Sequence, residues 1–261
     1  STGARALIDV LLEQGVDTVF GYPGSAVLDI YDELYKCDKI RHILTCHEQA
    51  AAHAADGYAR ATGRTGVVIA TSGPGATNLV TGIAAAYMDS SPVVAITGNV
   101  KTSLLGSDSF QEVDIAGVTM PVTKYSFIAS GERGVAQDVR EAFSIAQSGR
   151  KGPVLVDIPA DIAAQSEEYE RAPKSELAPA KEPEKAELER AAQMIEKAKR
   201  PLIYVGGGAI SSGASDALKT FAQKLHIPVA CSMMGLGAYP CSAELFLGLV
   251  GMHGNPVANM A

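Results

Sequence analysis

No apolar run among the 261 residues approaches the roughly 18 needed to cross a bilayer. The amino terminus also lacks the basic and apolar regions of a secretory signal, so a cytoplasmic protein without a membrane partner is expected. The four cysteines, Cys37, Cys46, Cys231 and Cys241, form no CxxC pair. They are too sparse for a disulfide scaffold and are expected as small core residues of a reduced chain. A dense basic stripe is missing as well. The net charge of −7 divides into −6 over residues 1–164, −3 over 165–190 and +2 over 191–261. Binding to nucleic acid through counterion release needs a concentrated positive face, so the pattern argues against that partner. With 47% apolar and 20% charged residues, the chain is neither disordered nor collagen-like. At roughly 150 residues per domain it holds one large domain or two smaller ones. It begins at Ser1 without a Met and stops at Ala261 inside the apolar run 255–261. A piece of something longer is therefore expected.

What is present alternates between strand and helix signals. Val67–Thr71, Pro92–Thr97, Pro153–Ile158 and Pro201–Val205 are short, continuously apolar and rich in β-branched residues, the pattern of parallel strands covered on both faces. Ala4–Gln14 carries apolar residues at helical spacing and ends at Gly15. Gln49–Thr62 ends at Gly63, and Ala76–Tyr87 and Gly134–Gln147 read similarly. Strands are also expected at Thr18–Phe20, Ile43–Thr45 and Pro228–Cys231. The alternation implies an open α/β fold. Residues 165–190 break it: half are charged, and Pro173, Pro179 and Pro183 interrupt them. An exposed linker is expected there, leading into a helix near Ala186–Ala198. The two strands read beyond it fall short of an ordinary sheet, so the second domain is expected to be incomplete.

Four segments offer chemistry. Tyr22-Pro23-Gly24-Ser25-Ala26 follows a strand and opens a helix, where backbone N–H groups favour anions. Cys46-His47-Glu48 lies at a strand's carboxyl end, where open α/β sheets place ligands. Glu48 reads equally as a partly desolvated acid–base group or as a first-turn carboxylate complementing the helix dipole. Thr71-Ser72-Gly73-Pro74-Gly75-Ala76-Thr77-Asn78 is a glycine turn without the lysine of a phosphate-binding P-loop, which disfavours a mononucleotide hydrolase. Gly206-Gly207-Gly208 is a partial dinucleotide fingerprint. His47 and His53 fail the HExxH spacing, so no zinc site is expected.

Taken in order, GYPGSA (21–26), HEQAAAHAADGYARATG (47–63), TSGPGATN (71–78), AYMDSSPVVAITG (86–98), GSDSFQE (106–112), GPVLVDIP (152–159), LIYVGGG (202–208) and GLGAYP with GMHG (235–240, 251–254) resemble one family along essentially the whole chain. That family is the catalytic subunits of acetolactate (acetohydroxyacid) synthases, which depend on thiamine diphosphate. The resemblance covers their amino-terminal part.

It implies a pyrimidine-binding domain over 1–164, an open parallel sheet with helices on both faces. A linker (165–190) and part of a Rossmann-like middle domain (191–261) follow. Glu48 matches the glutamate that bonds the cofactor's ring nitrogen and drives proton transfer through the ring. Tyr22, Pro23, Gly24 and Ser25, with Gly73, Pro74, Gly75 and Asn78, match segments around that ring. Gln111 matches a catalytic glutamine, and Ala26, Phe110 and Ala160 fall on the substrate channel. Arg150, Ser232, Met233, Met234, Gly251, Met252 and His253 match residues at an FAD that has no net redox role.

The reaction implied is decarboxylation of pyruvate and condensation with a second 2-oxo acid, in branched-chain amino acid biosynthesis. The implied assembly is a homodimer or tetramer through the pyrimidine-binding domain, with a possible regulatory small subunit. Two departures stand out. Ala160 replaces the family's channel lysine, and Val100-Lys101-Thr102-Ser103 differs from its Pro/Arg-containing loop. Family members bind the diphosphate and Mg²⁺ through a carboxyl-terminal Gly-Asp-Gly…Asn-Asn domain that nothing here matches. No metal site is expected in these residues, which alone should not turn over. Two alternatives stay open: another thiamine-diphosphate decarboxylase, carboligase or oxidase, and a non-catalytic nucleotide-binding module.

Overall fold

A computed structural model describes residues 1–174 and 182–261. Residues 175–181, including Pro179 of the expected linker, lie outside the described residues. The chain divides into two compact units, Ser1–Ala180 and Lys181–Ala261.

Six parallel strands among the described residues form the first unit's sheet: β1 (Thr18–Tyr22), β2 (Arg41–Leu44), β3 (Gly66–Ala70), β4 (Val93–Asn99), β5 (Tyr125–Ile128) and β6 (Val154–Pro159), in the order β2-β1-β3-β4-β6-β5. Burial of both faces of β3, β4 and β6 accounts for their apolar runs. One face packs against α1 (Gly3–Glu13), α2 (Leu28–Tyr35) and α7 (Val135–Gln147) through Leu7, Leu11, Ile30, Val139 and Phe143. The other packs against α3 (Glu48–Thr62), α4 (Pro74–Thr77), α5 (Val80–Met88) and α6 (Ile115–Thr119), around Ala52, Ala55, Leu79 and Ile83. Gly15 (φ 74°) and Gly63 (φ 71°) stop α1 and α3 as expected. The helix expected over Ala76–Tyr87 divides into α4 and α5 beside Asn78. A short helix, α8 (Ala160–Ala164), follows β6.

The chain leaves β1 over one face of the sheet to reach β2, then crosses the other face through α3 to β3. The order therefore reverses between β1 and β3. Open α/β sheets bind ligands at such a switch point, outside the carboxyl ends of the strands.

Residues 165–172 are not free linker. Ser166 bridges Thr2, and Glu167 accepts the Val135 and Ala136 N–H groups at 2.8 and 3.1 Å. Tyr169 and Ala172 donate to Glu13 at 2.6 and 2.9 Å. The acidic composition that reads as a solvated linker supplies a cap for α7. The exposed helix downstream, α9, covers Lys185–Lys197.

The second unit holds a parallel sheet of β7 (Ile203–Val205), β8 (Val229–Cys231) and β9 (Phe246–Leu249), with α10 (Gly207–Ser211), α11 (Ser215–Leu225) and α12 (Pro256–Met260). The sequence reading found two of these strands. It missed β9, which contains Gly248 at φ 106° and a register shift opposite Val229 and Ala230. Cys231 lies in the core, but Cys46 and Cys241 are exposed, which corrects the expectation that all four cysteines are core.

Candidate functional site

The switch point is closed by two loops that touch. A Cβ on Gly24, after β1, would stand 2.5 Å from Thr71, after β3. The Ala26 N–H donates to Thr71 Oγ1 at 3.3 Å. Tyr22, Pro23 and Ser25 are exposed on this rim.

Glu48 opens α3 one turn beyond β2. Its N-cap is His47, whose Nδ1 accepts the Gln49 N–H at 3.1 Å. The Glu48 side chain lies inward, with the residue only 8% exposed. Its Oε2 accepts from Asn78 Nδ2 at 2.9 Å, and Oε1 would be 3.3 Å from a Cβ on Gly75. No ion pair to it is found among the described residues. A buried carboxylate held at one oxygen by an amide, beside bare glycine backbone at the other, can accept a further N–H from a flat ligand. Beneath it, the Tyr31 hydroxyl and His42 Nε2 are 3.2 Å apart. Burial first, and the Glu48 charge second, push the Tyr31 phenol up. Burial lowers His42, opposed by its bond to the Gly21 backbone.

Gly73 (φ 59°) brings the third loop in. A Cβ there would stand 2.8 Å from the Gln111 carbonyl oxygen and 2.9 Å from its Cα. Glu48, Gly73, Gly75, Asn78, Gln111 and the 22–26 turn thus share the carboxyl edge of one sheet, with Pro74 exposed at the start of α4. Phe110 is 85% exposed. Ala160 follows β6 on the same edge, next to Asp161, whose carboxylate accepts the Thr102 N–H and hydroxyl at 2.9 and 2.5 Å.

Arg150 is elsewhere. It precedes β6, at the amino edge of the sheet, and donates to Ser90 Oγ at 2.7 Å and the Met88 carbonyl at 3.2 Å. The fold does not bring it to Glu48.

In the second unit the carboxyl ends of adjacent strands gather Gly206–Gly208 after β7, Ser232–Met234 after β8 and Gly251–His253 after β9. Ser232 Oγ accepts the Gly235 N–H at 3.2 Å. Nothing lies within 4 Å of a Cβ on Gly208 or Gly251, and Met233 and Met252 are exposed.

Sequence reasoning missed Asp157, buried in the middle of β6. It accepts from Thr97 Oγ1 at 2.6 Å and from Asn99 Nδ2. A lone acid inside the apolar run Val154–Ile158 was the available signal. Among the described residues no group of three His, Cys, Asp or Glu could hold a metal ion, and no helix is long and apolar enough to cross a membrane.

The chain resembles known proteins along nearly its whole length. Residues 1–118 match the family model of the thiamine pyrophosphate enzyme N-terminal TPP binding domain, and residues 188–261 match that of the thiamine pyrophosphate enzyme central domain. The acetolactate synthase large subunit of Corynebacterium glutamicum is 52% identical over 256 residues, 97% of this chain and 41% of that protein. The isozyme 3 large subunit of Escherichia coli is 49% identical over 264 residues, 99% of this chain and 46% of its own length. A probable acetolactate synthase large subunit of Methanocaldococcus jannaschii is 50% identical over 266 residues, 99% of this chain and 45% of its own. The chain spans less than half the length of these relatives.

Proposed function

The chain belongs to the thiamine pyrophosphate enzymes and is homologous to acetolactate synthase large subunits over nearly its whole length; from that premise we propose that it supplies the ring-binding half of an acetolactate-forming site. The observation that carries the proposal is Glu48, a buried carboxylate at the switch point that Asn78 holds at one oxygen while the other lies beside the Gly75 backbone.

The residues fit a flat heterocycle. Gly73 and Gly75 let the loops around Glu48 pack closely, since a Cβ would stand 2.8 Å from the Gln111 carbonyl oxygen at one and 2.7 Å from the Thr71 methyl at the other. Glu48 Oε1 is free to accept a ring N–H. Bound thiamine diphosphate supplies the carbanion-stabilising chemistry. Glu48 holds a proton at the ring nitrogen, a role typically worth about 10²–10⁴-fold in rate. Asn78 keeps its carboxylate in register. Gln111, seated on Gly73, faces the 2-oxo acid, with Phe110 and Ala160 along its approach and Tyr22, Pro23, Ser25 and Ala26 on the rim.

Pyruvate is the donor, and pyruvate or 2-oxobutyrate the acceptor. Mg²⁺ and the diphosphate are held by chain outside these residues. The glycine-lined edge of β7, β8 and β9, with Ser232 and Met234, suits FAD. Exposed apolar Leu28, Leu44 and Phe110 on the carboxyl edge of the first unit give a second subunit a surface to cover. A regulatory subunit and a cytoplasmic setting complete the reading.

Joining residues 1–261 to the remaining length of the Corynebacterium glutamicum subunit tests it. Acetolactate from pyruvate is expected from the joined chain and none from the 261 residues alone. A joined, folded enzyme that turns over pyruvate to acetaldehyde or acetate alone would reject acetolactate formation in favour of another thiamine-diphosphate reaction.

A further inference from the structure

The loop between β4 and α6 carries Phe110 and Gln111, and it folds around a carboxylate. Glu112 Oε1 accepts the Gly106 N–H. Its Oε2 accepts the N–H groups of Ser107 at 3.2 Å and Ser109 at 3.0 Å, and the Ser109 hydroxyl at 3.3 Å. Backbone N–H groups converging in this way form a cradle of the kind that binds anions. Here the chain's own side chain fills it. Hydrogen bonds, from Gly106 first and then Ser109 and Ser107, hold the Glu112 carboxyl below the usual carboxylate range.

The path of the loop is a demanding one. Gly106 (φ 77°), Asp108 (φ 54°) and Gln111 (φ 59°) are left-handed within six residues, and two of them are not glycine. Such conformations persist only where surrounding contacts fix them. The stem is fixed independently, by Asn99 Oδ1 accepting the Val100 N–H at 2.8 Å and by Asp161 holding Thr102. Among the described residues, no side chain from outside the loop hydrogen-bonds residues 103–111. Glu112 alone closes that stretch onto itself through a charged group.

We propose that Glu112 is the positioning residue of this loop: its carboxylate fills the cradle of Gly106, Ser107 and Ser109, fixes the left-handed turn at Gln111 against Gly73, and so sets where Gln111 and Phe110 stand toward the 2-oxo acid. The last clause rests on the function proposed above. The dependence of the loop on Glu112 does not, and its test involves no cofactor, so the two readings fail separately.

The test uses the 261-residue chain with its amides assigned. In the unmodified chain, proton contacts between Gln111 and Gly73 are expected, together with slow exchange at the Gly106, Ser107 and Ser109 amides. Glu112→Gln keeps the size of the side chain but presents one oxygen instead of two. It is expected to release either Gly106 or the Ser107 and Ser109 pair, with exchange about tenfold faster there. A role in packing alone would leave this isosteric variant unchanged. Glu112→Ala is expected to release all three amides and to lose the Gln111–Gly73 contacts. Slow exchange at Ala95 and Val156, in β4 and β6, confirms an intact sheet in each variant. Three slow amides and unchanged Gln111–Gly73 contacts in both variants would overturn the proposal.

Discussion

Glu48 and Asp157 are both carboxylates buried near the carboxyl edge of one sheet, and their surroundings separate their roles. Glu48 stands in the first turn of α3, beside the Asn78 amide and the Gly75 backbone. Asp157 is closed in by Thr97 and Asn99. Burial pushes Asp157 up to about 7, against the bonds from Thr97 and Asn99 and with the Asp114 charge adding to the rise. Its unfolded value is near 3.8. Between about pH 4 and pH 7 the folded state therefore binds more protons than the unfolded one. Stability contributed by this group is complete below that window and is lost as pH rises through it. At about 1.36 kcal/mol per unit the loss is at most about 4 kcal/mol. Hydrogen exchange of sheet amides at pH 5 and pH 8, each corrected for intrinsic rate, should report a lower opening free energy at pH 8. Asp157→Asn should remove most of that difference, whereas an equal difference in the variant would assign the effect to other groups.

At the scale of elements, α1 and α7 are clamped by one ion pair. Arg140 donates to both oxygens of Glu13 at 2.9 Å, and Tyr169 and Ala172 add two more bonds to the same carboxylate. Burial opposes ionisation of Glu13, but the bonds from Arg140, Tyr169 and Ala172 outweigh it and lower its pKa. Arg140→Ala would strand a buried charge at a cost of about 3 kcal/mol. Glu167→Ala removes the cap from α7 at a cost of about 1 kcal/mol. Urea unfolding of the two variants should rank them in that order. A smaller loss for Arg140→Ala would show that Glu13 is solvated when unpaired.

These contacts mark the limit of what composition reveals. β3, β4 and β6 were legible because burial of both faces writes an apolar run, broken in β6 only by Asp157, and α3 because Gly63 ends it. Edge strand β5 has a partly exposed pattern, and β9 is interrupted by Gly248, so neither carries that signature. In 165–172 one of the charges that suggest a linker, Glu167, docks the segment, together with Tyr169 and the Ala172 N–H. Glu48, Gly73, Gly75, Asn78 and Gln111 were legible through their motifs, although only the fold shows Gly73 bearing on Gln111. The hub role of Glu112 depends on left-handed turns that sequence spacing does not encode. Arg150 lies in none of the quoted motifs and was named only through the family resemblance, which does not give its place at the amino edge.

For the whole molecule, the strand order concentrates the chemistry. Parallel pairing places the loops after β1, β2, β3 and β4 on one edge, with the switch point between β1 and β3, and the loops after β7, β8 and β9 share the carboxyl edge of the second unit. The chain spans less than half of its relatives, and in the function proposed above it supplies the ring-binding half, with Glu48 as the catalytic group. The most direct test measures how fast the thiazolium carbon of bound thiamine diphosphate exchanges hydrogen for deuterium in the joined enzyme. Glu48→Gln is expected to slow that exchange at least tenfold with the cofactor still bound. An unchanged exchange rate would contradict the role given to Glu48.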